Sequence, residues 1–162
     1  MPITLLDDQL WFPPANEATE DGLLALGGDL SIDRLLLAYR SGIFPWFNEE
    51  EPPLWWCPDP RCVLFPDDLY VSKSMQQLFK KNAFEITINK AFEEVIWQCG
   101  ETRKDKEGTW ITDDIVDAYT QLHRLGFAIS IEAWKHHELV GGLYGIRMGK
   151  VFFGESMFSK QS

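Results

Sequence analysis

Glu155 lies between Gly154 and Ser156 at the end of an apolar run, a setting that carries an ionisable group to the rim of a sheet, where ligands commonly sit. A carboxylate held there can bind a cation or move a proton. Seven tryptophans in 162 residues are a second signal, and Trp46, Trp55, Trp56 and Trp110 are read as standing outside regular elements. An indole in a loop is either a stacking surface for a base or a plug between packed elements, and composition does not choose between them. The Gly141-Gly142 pair inside a strand pattern allows close backbone approach by a ligand or another segment, with a bulge as the equal alternative.

Other familiar chemistry is missing from the chain. There is no GxxxxGK[ST] phosphate loop, no GxGxxG, no HExxH and no GxSxG elbow. His136-His137 beside Glu138 reads as a solvated hairpin turn rather than a metal site, and His123 reads as a structural residue on a helix. Cys57, Cys62 and Cys99 are odd in number and lack zinc-finger spacing, so reduced thiols in a cytoplasm are expected.

The elements that must position these groups follow from capping and periodicity. Ser31 is an N-cap for a helix with Leu35, Leu36 and Tyr39 on its apolar face, stopped by Gly42. Ser72 opens a second helix with Met75, Leu78 and Phe79 expected inward, and Phe84 to Ile88 alternates as a strand. Asn89 is expected to cap a helix carrying Phe92, Val95, Ile96 and Cys99 and ending at Gly100, before a charged loop over 101–107. Thr112 caps a fourth, whose inward face is Ile115, Val116, Tyr119 and Leu122, with Gly126 as its stop. Phe127 to Trp134, Leu139 to Arg147 and Lys150 to Phe153 then read as an antiparallel meander. Helices followed by hairpins indicate an α/β (α+β) chain with a mixed sheet flanked by helices.

Charge sets further limits. The net charge is -10, and residues 1–60 hold 11 acidic and two basic side chains, which marks a compositional break near the proline-rich run ending at Pro60. This balance argues against broad, sequence-blind nucleic-acid binding, leaving Lys80, Lys81, Arg103, Lys104 and Lys106 as either a local basic patch or a solvated face. No stretch approaches the roughly 18 apolar residues of a spanning helix, and no cationic leader precedes an apolar run at the start, so a cytoplasmic protein without a membrane partner is expected.

Six segments taken in order, GLLALGGDLS (22–31), LLLAYRSGIFPWF (35–47), LWWCPDPRCVL (54–64), GTWIT (108–112), ELVGGLYG (138–145) and FFGESMFS (152–159), closely resemble the bacterial leucyl/phenylalanyl-tRNA–protein transferase family. The resemblance implies transfer of Leu or Phe, less readily Met, from aminoacyl-tRNA to the N-terminal Arg or Lys of acceptor proteins, marking them for N-end rule degradation. It implies a small N-terminal domain over 1–62 and, over 63–162, a domain similar to GCN5-related acetyltransferases. Acetyl-coenzyme A is not implied, since no glycine-bearing pyrophosphate loop follows Arg147. By position, Trp46 and Trp110 match the residues that hold the terminal adenosine. Leu143, Phe152 and Met157 match the pocket for the donor side chain, and Tyr39 and Tyr119 match tyrosines near it. Glu155 matches the glutamate that selects the cationic acceptor. The implied chemistry is aminolysis of an activated ester, for which no cofactor or metal is expected. Family members continue several dozen residues past Ser162 through an Asp-x-Gln proton-relay pair. On that reading the second domain is truncated, and the alternative is an inactive fragment that at most binds aminoacyl-tRNA or Arg/Lys-terminated peptides.

Overall fold

The computed structural model describes residues 3–104 and 109–160. Among these residues it is a mixed α/β chain with two four-stranded sheets and four α-helices; the helices and the second sheet are expected from periodicity, the first sheet is not. The first sheet comprises β1 (Thr4–Leu6), β2 (Leu23–Gly27), β3 (Phe44–Pro45) and β4 (Leu54–Trp56) in the order β1-β2-β4-β3, with only β1 and β2 parallel. Its helix α1 (Ile32–Arg40) begins where the Ser31 hydroxyl accepts from the Arg34 amide, and it stops before Gly42, whose φ of +74° suits glycine.

Trp55 is fully buried in β4, its indole donating to the Gly27 carbonyl at 2.9 Å and meeting Phe12 edge-on. It is therefore a core plug within a strand, contrary to its reading as a loop aromatic, because its amide pairs in β4 while its ring faces the core. Trp56 shares that strand. Arg34 is also buried, and its Nη2 donates to the carbonyls of Asp7 and Gln9, which ties down the chain start.

The second sheet is the expected meander, in the order β5 (Glu85–Ile88), β6 (Ala128–Lys135), β7 (Glu138–Met148) and β8 (Val151–Ser159). Its last strand extends six residues further than Phe153. α3 (Phe92–Lys104) lies across β7 and β8, and α4 (Asp113–Arg124) packs on β6 and α3. Thr112 caps α4 through the Ile115 amide, and Ile115, Tyr119 and Leu122 are buried as its spacing requires. His136 and His137 both have positive φ, the conformation that a tight hairpin with right-handed strand twist demands. The His123 ring stacks on Phe92 and its Nδ1 meets the Ala128 carbonyl at 2.9 Å.

Three expectations about elements need correction. α3 does not end at Gly100 but runs to Lys104; Gly100 keeps helical geometry against Ile111, and the Thr102 hydroxyl donates back to the Gln98 carbonyl. Asn89 does not cap α3. Its backbone is left-handed and its Oδ1 accepts from the Ser130 amide, while the Glu132 carboxylate takes the Ala91 amide at the helix start.

Met75, Leu78 and Phe79 of α2 (Lys73–Lys80) do not face inward: each is exposed, and no residue of that helix is buried. Periodicity identifies an apolar face but not what covers it. β5 behaves similarly, turning Thr87 inward and leaving Ile86 and Ile88 exposed.

Candidate active site

β8 carries an extra residue opposite β7. Tyr144 pairs with Ser156 and Gly145 with Gly154, so Glu155 is the unpaired residue of a β-bulge. It lies inside the strand, not at its end as read from the sequence, because the bulge lets the ladder continue to Ser159. A bulge re-aims a side chain. The Glu155 carboxylate turns toward α1, where Tyr39 Oη donates to its Oε1 at 2.7 Å. Tyr39 Oη also meets Tyr119 Oη of α4. Each phenol has one proton, so when Tyr39 donates to ionised Glu155 it accepts from Tyr119.

Three separate elements thus converge on one hydrogen-bonded chain, Tyr119 to Tyr39 to Glu155. Burial, followed by the neighbouring negative charge of Glu155, pushes both phenols well above their ordinary range, so both keep their protons at neutral pH. Burial pushes the Glu155 carboxyl up to about 7, against the opposing effects of the Tyr39 hydrogen bond and the charge of Arg61.

Two depressions meet at Gly154 and Glu155. One, of about 260 Å³, is lined by Phe44, Pro45, Trp46, Arg61 and Trp110. β3 and the residue after it supply Phe44 and Trp46, while the loop before α4 supplies Trp110. Trp46 is 52% exposed, leaving a ring face open to a ligand, and its carbonyl accepts from the Trp56 indole at 2.7 Å. The other depression, of about 250 Å³, is lined by Leu143, Phe152 and Met157 together with Arg103, Tyr144 and Ser156. Leu143 and Met157 are directly opposed across β7 and β8, in a row that continues through Ile131 to Ile88.

All eight residues singled out from the sequence therefore lie in this pair of depressions or in the hydrogen-bonded chain behind them. The sequence reading missed Arg61 and placed Arg103 only in a surface basic patch. The presence of Arg61 inside the motif LWWCPDPRCVL was the available signal. Of the proposed basic patch, Lys106 and the Lys104 side chain lie outside what the structure describes.

The Gly141-Gly142 pair serves packing. Val140 is the extra residue of a second bulge, and Gly142 is closely approached by Val95 and Phe158. Among the described residues, no group of three or more His, Cys, Asp or Glu could hold a metal ion, and no helix is long and apolar enough to cross a membrane.

A half-open indole surface, an apolar pocket and a carboxylate between them can seat a group that is part nucleoside and part apolar amino acid. That is the demand an aminoacyltransferase makes of its site. Comparison with known sequences agrees: a family model for leucyl/phenylalanyl-tRNA protein transferase matches residues 63–162, and one for its N-terminal domain matches residues 28–59. The chain belongs to the leucyl/phenylalanyl-tRNA–protein transferase family. It is similar to the transferase of that name from Syntrophobacter fumaroxidans, 54% identical over 163 residues, covering 100% of this chain and 70% of the relative. The one from Flavobacterium johnsoniae is 57% identical over 154 residues, covering 94% and 73% respectively. That from Saccharophagus degradans is 58% identical over 153 residues, covering 93% of this chain and 63% of the relative.

Proposed function

We propose that this chain takes part in transferring Leu or Phe, and less readily Met, from aminoacyl-tRNA to the N-terminal Arg or Lys of acceptor proteins. The observation that carries the reading is the convergence of Trp46 and Trp110 on one side of Glu155 and of Leu143, Phe152 and Met157 on the other. The indoles stack the terminal adenosine, since a single-stranded acceptor end offers open base faces. The apolar pocket takes the donor side chain and discriminates by shape. Glu155, when ionised, attracts the cationic acceptor by charge-assisted hydrogen bonding, and Tyr39 and Tyr119 hold it in place.

The reaction is aminolysis. A neutral α-amine attacks the ester carbonyl, a C–N bond forms, the C–O bond to the ribose breaks, and the amine's proton ends on the departing ribose oxygen. The energy is already stored in the ester, so positioning and support of the developing oxyanion supply the acceleration without a cofactor. We place the reaction in the cytoplasm, where its products enter N-end rule degradation. Residues 1–62 and 63–162 act as two units, the second resembling GCN5-related acetyltransferases, with the site where they meet.

The test is transfer of labelled phenylalanine from charged tRNA to a peptide beginning with Arg, with a peptide beginning with Glu as control. Transfer to the first peptide alone is the expected result. Folded protein that binds both substrates without transfer would overturn the catalytic reading and favour a binding role.

A further inference from the structure

The tryptophan-lined depression contains one cation, Arg61, to which neither the family comparison nor the proposed reaction assigns a role. Its guanidinium carbon sits 4.6 Å from the centroid of the Phe44 ring, a cation–π contact that fixes the end of an otherwise exposed side chain. Phe44 and Trp46 lie two residues apart in β3 and its continuation, so the cation and the indole are set on the same short stretch of backbone. Among the described residues Arg61 forms no salt bridge. Its charge is nevertheless felt at Glu155, which lines the same depression.

A planar guanidinium beside two indoles matches a nucleotide rather than a bare base: the rings take the π face, and the fork takes phosphate oxygens in bidentate geometry. We infer that Arg61 binds a backbone phosphate of the acceptor strand while Trp46 and Trp110 stack its terminal base. This rests on the functional reading above and extends it by naming the group that recognises the polynucleotide rather than the nucleoside. It also explains how a chain of net charge -10 can use an RNA substrate, since one cation held at the reactive end acts where the phosphate arrives.

The experiment compares two probes by equilibrium binding to the 162-residue protein. One is phenylalanyl-tRNA, and the other is a phenylalanyl-adenosine amide that has the base and the amino acid but no phosphate. Arg61→Met keeps an apolar stem over Phe44 and removes the charge, and Arg61→Lys keeps the charge but loses the fork. Arg61→Met should weaken phenylalanyl-tRNA by roughly 10- to 100-fold, the value of a charge-assisted hydrogen bond, and leave the adenosine amide within about twofold.

The salt dependence for the tRNA should become shallower by about 0.7 in the slope of log K against log salt. Arg61→Lys should recover part of the loss. Equal weakening of both probes, or no weakening of either, at an unchanged melting temperature overturns the phosphate contact. Wild-type protein that binds neither probe overturns the functional reading as well.

Discussion

Two glutamates of the second sheet show how surroundings decide what a carboxyl does. Glu132 on β6 is buried, which alone would raise its pKa, but the Ser130 and Thr87 hydroxyls and the Ala91 amide outweigh this and hold it below the ordinary range. Its stabilising contribution is complete above about pH 4.5 and lost as pH falls through the lowered value. Glu132→Ala should cost about 2–3 kcal/mol in urea unfolding at pH 7, because the donors lose their partner. Glu155 behaves oppositely. With its pKa raised to about 7, the folded state prefers the protonated form, so stability is complete below about 4.5 and declines as pH rises through about 7. Melting curves between pH 4 and 8 should show that decline in the wild type and its absence in Glu155→Gln; a parallel pH dependence would refute it. Tyr39→Phe removes a hydrogen bond that favours the carboxylate, so the midpoint for binding an Arg-terminated peptide should move to higher pH, and more than in Tyr119→Phe.

At the level of elements, the bulge in β8 is the feature on which the site depends. An added methyl at Gly145 would fall on the Phe153 carbonyl and the Phe152 ring, directly beside the bulge. Gly145→Ala should lose about 1–3 kcal/mol in thermal or urea unfolding and disturb the pocket that Phe152 lines. An unaltered stability would mean that the strand can shift without strain. The α4 cap matters in a plainer way, since Thr112 starts the helix that presents Tyr119 and closely follows Trp110. The Ser31, Ser72 and Thr112 caps and the meander were legible because each depends on residues within a few positions, whereas the Asn89 cap and the inward face of α2 were misread because they depend on what packs against them. The bulge was not legible, since it depends on how two strands register.

For the whole molecule, the distribution of charge and apolar surface sets how large partners approach. A depression of about 530 Å³ is lined by Asp29, Glu49, Glu51, Asp113, Asp114 and Asp117, and its field repels an RNA backbone. The acceptor end is therefore expected to arrive from the side that carries Arg61 and Arg103. Leu64, Phe65, Leu69, Met75, Phe79, Ile86 and Ile88 are all exposed. Surface of that kind associates with apolar partners. The protein should bind an apolar fluorescent dye strongly, and a Leu64→Glu, Phe79→Glu double variant should bind markedly less at an unchanged melting temperature. Equal dye binding would show that these side chains do not form the accessible apolar surface.

The amino-acid order by itself determined the Ser31, Ser72 and Thr112 helix starts, the antiparallel meander, and the kinds of group a site would use, because caps, turn residues and alternation act locally. It also carried the family resemblance, spread over six segments from 22 to 159. Only the tertiary structure decided that Trp55 is core while Trp46 is open, that Tyr39 and Tyr119, 80 residues apart, share a hydrogen bond, and that Glu155 is re-aimed within a strand. Those outcomes depend on which faces meet and in what register, and neither quantity is encoded in any single stretch of chain.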